Sequence, residues 1–142
     1  MIHYEHDFYG WTQEQAALLR ARRLNDLDID NLIEEIETMG RSEKRALESS
    51  LTVLLMHLLK WKYQPHRRSR SWQLTIKTQR INFSKTLREN PGLNPKLAQC
   101  LVDAYQIAVL KAAQETDYDT SIFPVECPWN LVQITDDSFY PD

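Results

Sequence analysis

The sequence is poor in the residues that build turn-rich or cross-linked folds. Its 142 residues include only three glycines and two cysteines, Cys100 and Cys127. So few glycines disfavour a β-sandwich or barrel, because those folds need many tight turns. The two widely spaced cysteines form neither the disulfide framework of a small secreted protein nor a metal-binding CxxC pair. We therefore expect reduced thiols and no metal or other cofactor.

Long apolar runs are also missing. The longest apolar stretch, residues 51–59, is interrupted by Thr52 and His57 and is too short to span a bilayer. The opening residues 1–8 are polar and acidic, unlike the basic and then apolar start of a secretory signal. The sequence thus predicts a cytoplasmic protein without a membrane partner.

What the sequence does contain is helical periodicity. Apolar residues recur at helical spacing in several long segments. Helix starts are predicted after four N-capping residues, namely Asp7, Asp28, Ser71 and Asn94. The first helix is expected to end near Arg23. The predicted fold class is all-α, with a single domain over residues 1–142 that forms a bundle of four to five helices.

The second helix raises a question of length. If it ran unbroken from Ile29 to Tyr63, it would be about 50 Å long at 1.5 Å per residue. A compact domain of this size is only about 37 Å across. We therefore expect a break or kink near Gly40, with Ser42 capping a new start. The alternative is a homodimer in which the partner chain covers the excess length.

The last segment, residues 117–142, contains three prolines and no lysine or arginine. It shows no helical period apart from one short helix predicted to begin at Pro128. Phe123 and Trp129 supply apolar surface for docking. An irregular C-terminal tail packed on the bundle is the expectation.

His57 is the first candidate for chemistry. It lies on an apolar helical face that it shares with Lys60 and Trp61. A metal site on one helix usually offers a second ligand three or four residues away, and none stands there. The favoured interpretation is a core or boundary histidine. A catalytic or metal-binding role with Glu34 or Glu35 would require the chain to fold back between them.

Those two glutamates belong to an acidic stretch that also includes Glu37. Glu34 and Glu35 project about 100° apart on a helix, and Glu37 precedes Arg41 by four residues, the spacing of a surface ion pair. A solvated acidic face is the favoured interpretation.

Charge provides the strongest pattern. Nine basic residues and no acidic one occur over residues 60–88, namely Lys60, Lys62, Arg67, Arg68, Arg70, Lys77, Arg80, Lys85 and Arg88. Trp61, Tyr63 and Trp72 interleave with them, a composition typical of phosphate- or single-strand-binding surfaces. The candidate polyanion-binding residues are Arg67, Arg68, Arg70, Lys77 and Arg80, and Trp72 is a further candidate functional residue.

The overall charge argues against nucleic acid as the partner of this basic run. The net charge is −3 and the pI about 5.8, whereas nucleic-acid-binding domains are usually basic overall. The favoured interpretation is that acidic segments of the same chain, or of a partner subunit, neutralise the run.

Several blocks carry a family resemblance, namely Asp7-Phe8-Tyr9 with Trp11, Leu32-Ile33-Glu34-Glu35-Ile36, residues 54–61, Arg70-Ser71-Trp72, and Glu126-Cys127-Pro128-Trp129. Together they resemble a bacterial family called domain of unknown function 29. The resemblance implies a helical fold and assigns no catalytic residue.

These observations favour a non-enzymatic interaction or regulatory module that self-associates. Two alternatives stay open. One is a nucleic-acid or polyanion binder that uses residues 60–88, and the other is a hydrolytic or metal-dependent enzyme that uses His57 with a carboxylate.

Overall fold

Helices account for 76% of the chain, and there is no strand. The computed structural model describes residues Met1–Asp142. The five α-helices are α1 (Phe8–Arg20), α2 (Ile29–Tyr63), α3 (Arg70–Glu89), α4 (Leu97–Thr116) and α5 (Leu131–Thr135). Short 3₁₀ segments cover Leu24–Asp26, Pro65–Arg67, Pro91–Lys96 and Thr120–Ile122. The predicted all-α class with four to five helices is confirmed. No helix is both long and apolar enough to cross a lipid bilayer.

Side-chain caps begin α1, α3 and α5, although α3, α4 and α5 begin away from their predicted positions. Asp7 caps α1 as predicted, because its carboxylate accepts a hydrogen bond from the Gly10 N–H. The cap of α3 is Ser69 instead of Ser71. Helix α4 begins three residues after Asn94, because the Asn94 amide donates to the Pro91 carbonyl and stabilises a 3₁₀ segment in place of an N-cap.

Two other boundaries also differ from the predicted ones. Helix α1 ends at Arg20, before the predicted Arg23, since Arg22 has φ 59° and a left-handed residue cannot continue an α-helix. Helix α5 begins at Leu131, after the predicted start at Pro128, and a capping box of Asn130 and Gln133 defines its first turn.

Helix α2 is 35 residues long and runs through Gly40 without interruption, so the predicted new helix start at Ser42 is wrong. A glycine within a helix costs only about 1 kcal/mol relative to alanine. The exposed Arg41–Glu37 pair spans Gly40 across one turn and offsets about 0.3–0.5 kcal/mol of this cost. The helix therefore continues.

The chain divides into two compact units, residues 1–41 and residues 42–142, where the sequence predicts one domain. We call them the N-terminal hairpin and the C-terminal bundle. In the hairpin, Tyr4 bonds to Glu35 and Trp11 to Asp28, so earlier residues of the first arm meet later residues of the second. The two arms are therefore antiparallel.

The C-terminal bundle has an extensive core. Its fully buried members come mainly from α2, with contributions from α3, α4 and the tail: Leu47, Leu51, Leu54, Leu55, Leu58, Leu59, Ile76, Cys100, Ala108, Ala112 and Ile134. In the tail, Phe123 and Trp129 are also buried, and Phe123 packs edge-on against Tyr63 of α2. The predicted docking of the C-terminal tail is confirmed.

Arg80 of α3 attaches this tail to the bundle. Its side chain is 1% exposed, and its three nitrogens donate to three tail carbonyls. Nε bonds to Ile134 at 2.8 Å, Nη1 to Asp137 at 3.4 Å and Nη2 to Phe139 at 2.6 Å. Burial lowers the pKa of the guanidinium. Arg80 thus fixes the path of the tail over residues 134–139.

We expect Arg80→Met to destabilise the bundle, because it removes three charge-assisted hydrogen bonds and leaves their carbonyls without donors. The free energy of unfolding should fall by about 2 kcal/mol or more, and Tm by about 5 °C or more. Chemical and thermal denaturation followed by circular dichroism measure both. The matched control is Lys77→Met on the exposed side of α3, with an expected change within about 0.5 kcal/mol. Equal effects of the two variants would contradict the structural role of Arg80.

Candidate functional site

An apolar groove of about 290 Å³ lies on the N-terminal hairpin between its two helices. Its apolar walls come from both arms: Phe8, Trp11, Leu19, Leu32, Ile36 and Met39. Within the hairpin only Trp11 and Gln15 are buried, whereas Ile36 and Met39 are each 61% exposed. The hairpin therefore presents a largely uncovered apolar face.

Beside this groove a buried amide lacks a partner. Gln15 is 1% exposed, and its Oε1 accepts from the Asp28 N–H at 2.8 Å. Its Nε2 is the one buried side-chain polar atom of the chain without a hydrogen bond. An unsatisfied buried donor costs about 1–3 kcal/mol, so the hairpin alone does not complete the site.

Neighbouring polar groups hold Gln15 and Trp11 in place. The Asp28 carboxylate accepts from the Asn31 side chain at 2.8 Å and from Trp11 Nε1 at 2.9 Å. These two hydrogen bonds, the first the stronger, lower the Asp28 pKa. Because Asp28 also donates its N–H to Gln15, the start of α2 is bonded to both buried residues of α1.

The candidate carboxylates Glu34 and Glu35 belong to the hairpin. Glu35 accepts a hydrogen bond from the Tyr4 hydroxyl, which raises the pKa of Tyr4 to about 12. Glu34 lies 3.4 Å and Glu37 3.6 Å from Arg41. The predicted Glu37–Arg41 surface pair is confirmed, and Glu34 shares its arginine.

His57 lies in the C-terminal bundle, half-buried on α2. Its Nδ1 is 2.9 Å from the Val53 carbonyl oxygen, a contact that the neutral ring satisfies by donating from Nδ1. Burial lowers the His57 pKa, and the nearby charges are Lys60 and Glu115. Glu34 and Glu35 belong to the other compact unit, residues 1–41. No group of three or more histidine, cysteine, aspartate or glutamate side chains could hold a metal ion.

Lys60 is the first member of the basic run and is buried. Its ammonium lies 3.2 Å from a carboxylate oxygen of Glu115 in α4 and 4.7 Å from the ring centroid of Trp72 in α3. One acid outside the run therefore neutralises this cation, and the indole adds a cation–π contact.

Arg68 is also engaged within the bundle. Its Nε donates to the Trp61 carbonyl at 2.7 Å and its Nη2 to the Pro141 carbonyl at 3.4 Å. The guanidinium stacks over the Trp61 ring, which also contacts Tyr140. Like Arg80, Arg68 donates its hydrogen bonds to carbonyls of the same chain.

The five candidate polyanion-binding residues therefore have different environments. Arg68 and Arg80 are bonded internally, whereas Arg67, Arg70 and Lys77 are exposed. Lys85 and Arg88 of the same run are exposed as well, and no ion pair involves any of these exposed cations. The three aromatic residues of the run all have partners inside the bundle.

Both cysteines are free. Burial raises the pKa of each thiol. Cys100 lies 3.7 Å from Glu48 and Cys127 lies 3.3 Å from the Trp129 carbonyl. Neither environment favours the nucleophilic thiolate.

The groove on the hairpin is the feature that the sequence reasoning missed. The signal was the helical spacing of Leu32, Ile36 and Met39, which line the groove from α2. Ile36 and Met39 are each 61% exposed. Periodicity identifies an apolar face but cannot tell whether the same chain covers it.

Comparison with known proteins gives a family and no activity. Residues 3–140 match the family described as Domain of unknown function DUF29. No curated protein and no solved structure matches the chain.

The Lys60–Glu115 pair predicts an asymmetry between its two members. Glu115→Gln leaves a buried ammonium without its carboxylate and should destabilise the bundle by about 1–2 kcal/mol. Lys60→Met keeps the apolar stem, and Glu115, whose side chain is 46% exposed, stays hydrated. We expect a change within about 1 kcal/mol for this variant. Urea denaturation measures both, with the exposed Glu126→Gln as control; a larger loss from Lys60→Met would contradict this account.

His57 predicts a pH dependence. Because its pKa is lower in the folded protein than in the unfolded chain, the unfolded state takes up the proton first as pH falls. Stability should therefore be lost below about pH 6.5, the ordinary histidine value. In His57→Gln this loss should be smaller, as measured by Tm from pH 7.5 downward. The exposed His66→Gln is the control and should keep the parental pH profile; an unchanged profile in His57→Gln would refute the prediction.

Proposed function

The chain belongs to the DUF29 family, whose function is unknown, and from its geometry we propose a cytoplasmic, non-enzymatic interaction module that self-associates. The proposed occupant of the hairpin groove is the hairpin of a second copy. The single observation that carries the proposal is an uncovered apolar groove beside the unpartnered Gln15 amide. Both free thiols suit the reducing cytoplasm.

A second hairpin supplies the kind of surface that the first one needs. Two antiparallel helices bury one side of each helix and leave the other side open. A second pair stacked on that open side produces a four-helix bundle, in which all four apolar faces meet. Homodimers with two-fold symmetry use the same patch on both copies, and the groove is such a patch because both arms contribute to it.

The Gln15 amide adds a polar requirement to this apolar interface. Nε2 is buried in the single chain, so in the proposed dimer the Gln15 side chain turns toward the groove and donates to a carbonyl or carboxylate of the second copy. A polar group within an apolar helical interface commonly defines register, as a buried asparagine does in coiled coils. Gln15 has the corresponding role here.

We expect the full chain to be a dimer with a Kd below about 10 µM and to become monomeric when the groove loses its apolar walls. Ile36→Gln with Met39→Gln should weaken association at least tenfold, that is by about 1.4 kcal/mol or more. Analytical ultracentrifugation over a concentration series measures this effect. The matched control is Ile107→Gln with Leu110→Gln, which alters two comparably exposed residues of α4.

Circular dichroism confirms that the variants fold. A wild-type monomer at about 100 µM, or equal weakening by the α4 control, would overturn the proposal.

A further inference from the structure

The exposed side of α3 carries a continuous row of cationic and apolar residues. Its members are Arg70, Leu74, Lys77, Ile81, Lys85 and Arg88, all exposed. The row extends over about 27 Å at 1.5 Å per residue. Leu74 and Ile81 are 50% and 65% exposed, and a surface depression of about 470 Å³ borders Arg70 and Leu74. We call this row the α3 stripe.

The spacing of the stripe is that of a surface that packs against another helix. The positions 70, 74, 77 and 81 alternate steps of four and three residues, as the a and d positions of a coiled coil do. Arg70 and Lys77 occupy d positions, while Leu74, Ile81 and Arg88 occupy a positions. The opposite side of α3, with Ile76 and Phe83, is buried in the bundle. Helix α3 therefore has one face buried in the bundle and a second, regularly spaced face that is exposed and has no partner.

From this arrangement we propose that the α3 stripe binds an acidic amphipathic helix of a protein partner. Glutamates of that helix lie opposite Arg70 and Lys77, and its apolar residues lie opposite Leu74 and Ile81. Charge complementarity selects this occupant, since the stripe has four cations, no acid and no internal ion pair. A second copy of α3 would oppose like charges and is disfavoured. The inference does not depend on self-association of the hairpin.

Two other anionic surfaces fit less well. A single-stranded nucleic acid needs exposed aromatic rings for stacking, and Trp61, Tyr63 and Trp72 are half-buried and engaged inside the bundle. A membrane-surface helix needs a wide apolar face, and this stripe offers Leu74 and Ile81 alone. The alternating row of charges and apolar side chains is matched by a helix of the opposite charge.

The test uses a synthetic helical peptide of about 20 residues with leucine at a and glutamate at d, paired in parallel with α3. Titration calorimetry or fluorescence anisotropy with the full chain should give a micromolar Kd at about 0.1 M salt. Affinity should fall as salt rises, because the charges at the stripe are solvent-exposed. A peptide with glutamine in place of glutamate should bind at least about tenfold more weakly.

Matched variants identify the surface. Arg70→Gln, Lys77→Gln and Arg88→Gln in one chain should weaken peptide binding at least about tenfold. Arg45→Gln, Lys96→Gln and Lys111→Gln change the net charge equally at exposed positions outside the stripe and should leave binding within about twofold. A separate variant with Leu74→Ser and Ile81→Ser should also bind the peptide more weakly, and this loss of affinity should persist at high salt. Circular dichroism verifies folding throughout.

Several outcomes would overturn the proposal. They are no binding of the glutamate peptide, equal losses in the stripe and control variants, and stripe-dependent binding that is tighter to an oligonucleotide or to phosphatidylserine vesicles than to the peptide. The last outcome would reassign the stripe to a nucleic acid or a membrane surface. Because the peptide is monitored directly, each result is independent of whether the hairpin dimerises.

Discussion

A single buried guanidinium attaches the C-terminal tail to the bundle. Arg80 has no carboxylate partner, and its charge is accommodated by three carbonyls of the tail. Burying a charge is costly unless its donors are satisfied, so the tail and Arg80 depend on each other. The tail in turn brings Trp129 and Ile134 into the core. Arg80 thus defines the path of residues 134–139, while Phe123 packs on Tyr63 and Pro141 accepts from Arg68.

The basic residues of the run 60–88 have three different roles. Lys60 neutralises an acid of another helix, Arg68 and Arg80 donate to carbonyls, and Arg70 and Lys77 are exposed. The composition of the run suggests one cationic patch. The path of the backbone, however, decides which of these cations can reach backbone carbonyls. The expected neutralisation by acidic segments applies to Lys60, whereas backbone carbonyls replace the acids at Arg80.

The sequence was sufficient for the helices, which follow from apolar periodicity, and for the docking of the tail, whose Phe123 and Trp129 are buried. It was insufficient for the continuity of α2, because the argument from domain size favours a break near Gly40 and the helix continues there. The groove beside Gln15 also could not be predicted, since an apolar helical face looks the same whether the chain covers it or leaves it open. The exposed stripe of α3 was hidden for the same reason, because Leu74 and Ile81 fit the apolar pattern of the helix although both are exposed.

The two units differ in how far they satisfy their own side chains. The bundle buries a large core, and its buried polar side chains have partners, whereas the hairpin buries Trp11 and Gln15 and leaves one amide unsatisfied. Short helices are marginal in water without packing, so a hairpin with so small a core gains most from additional burial. Helix α2 belongs to both units, and its first turns are therefore continuous with a helix that the bundle core already stabilises. In the proposed dimer, a second hairpin would meet a surface whose second arm is already helical, so less conformational entropy would be lost on binding.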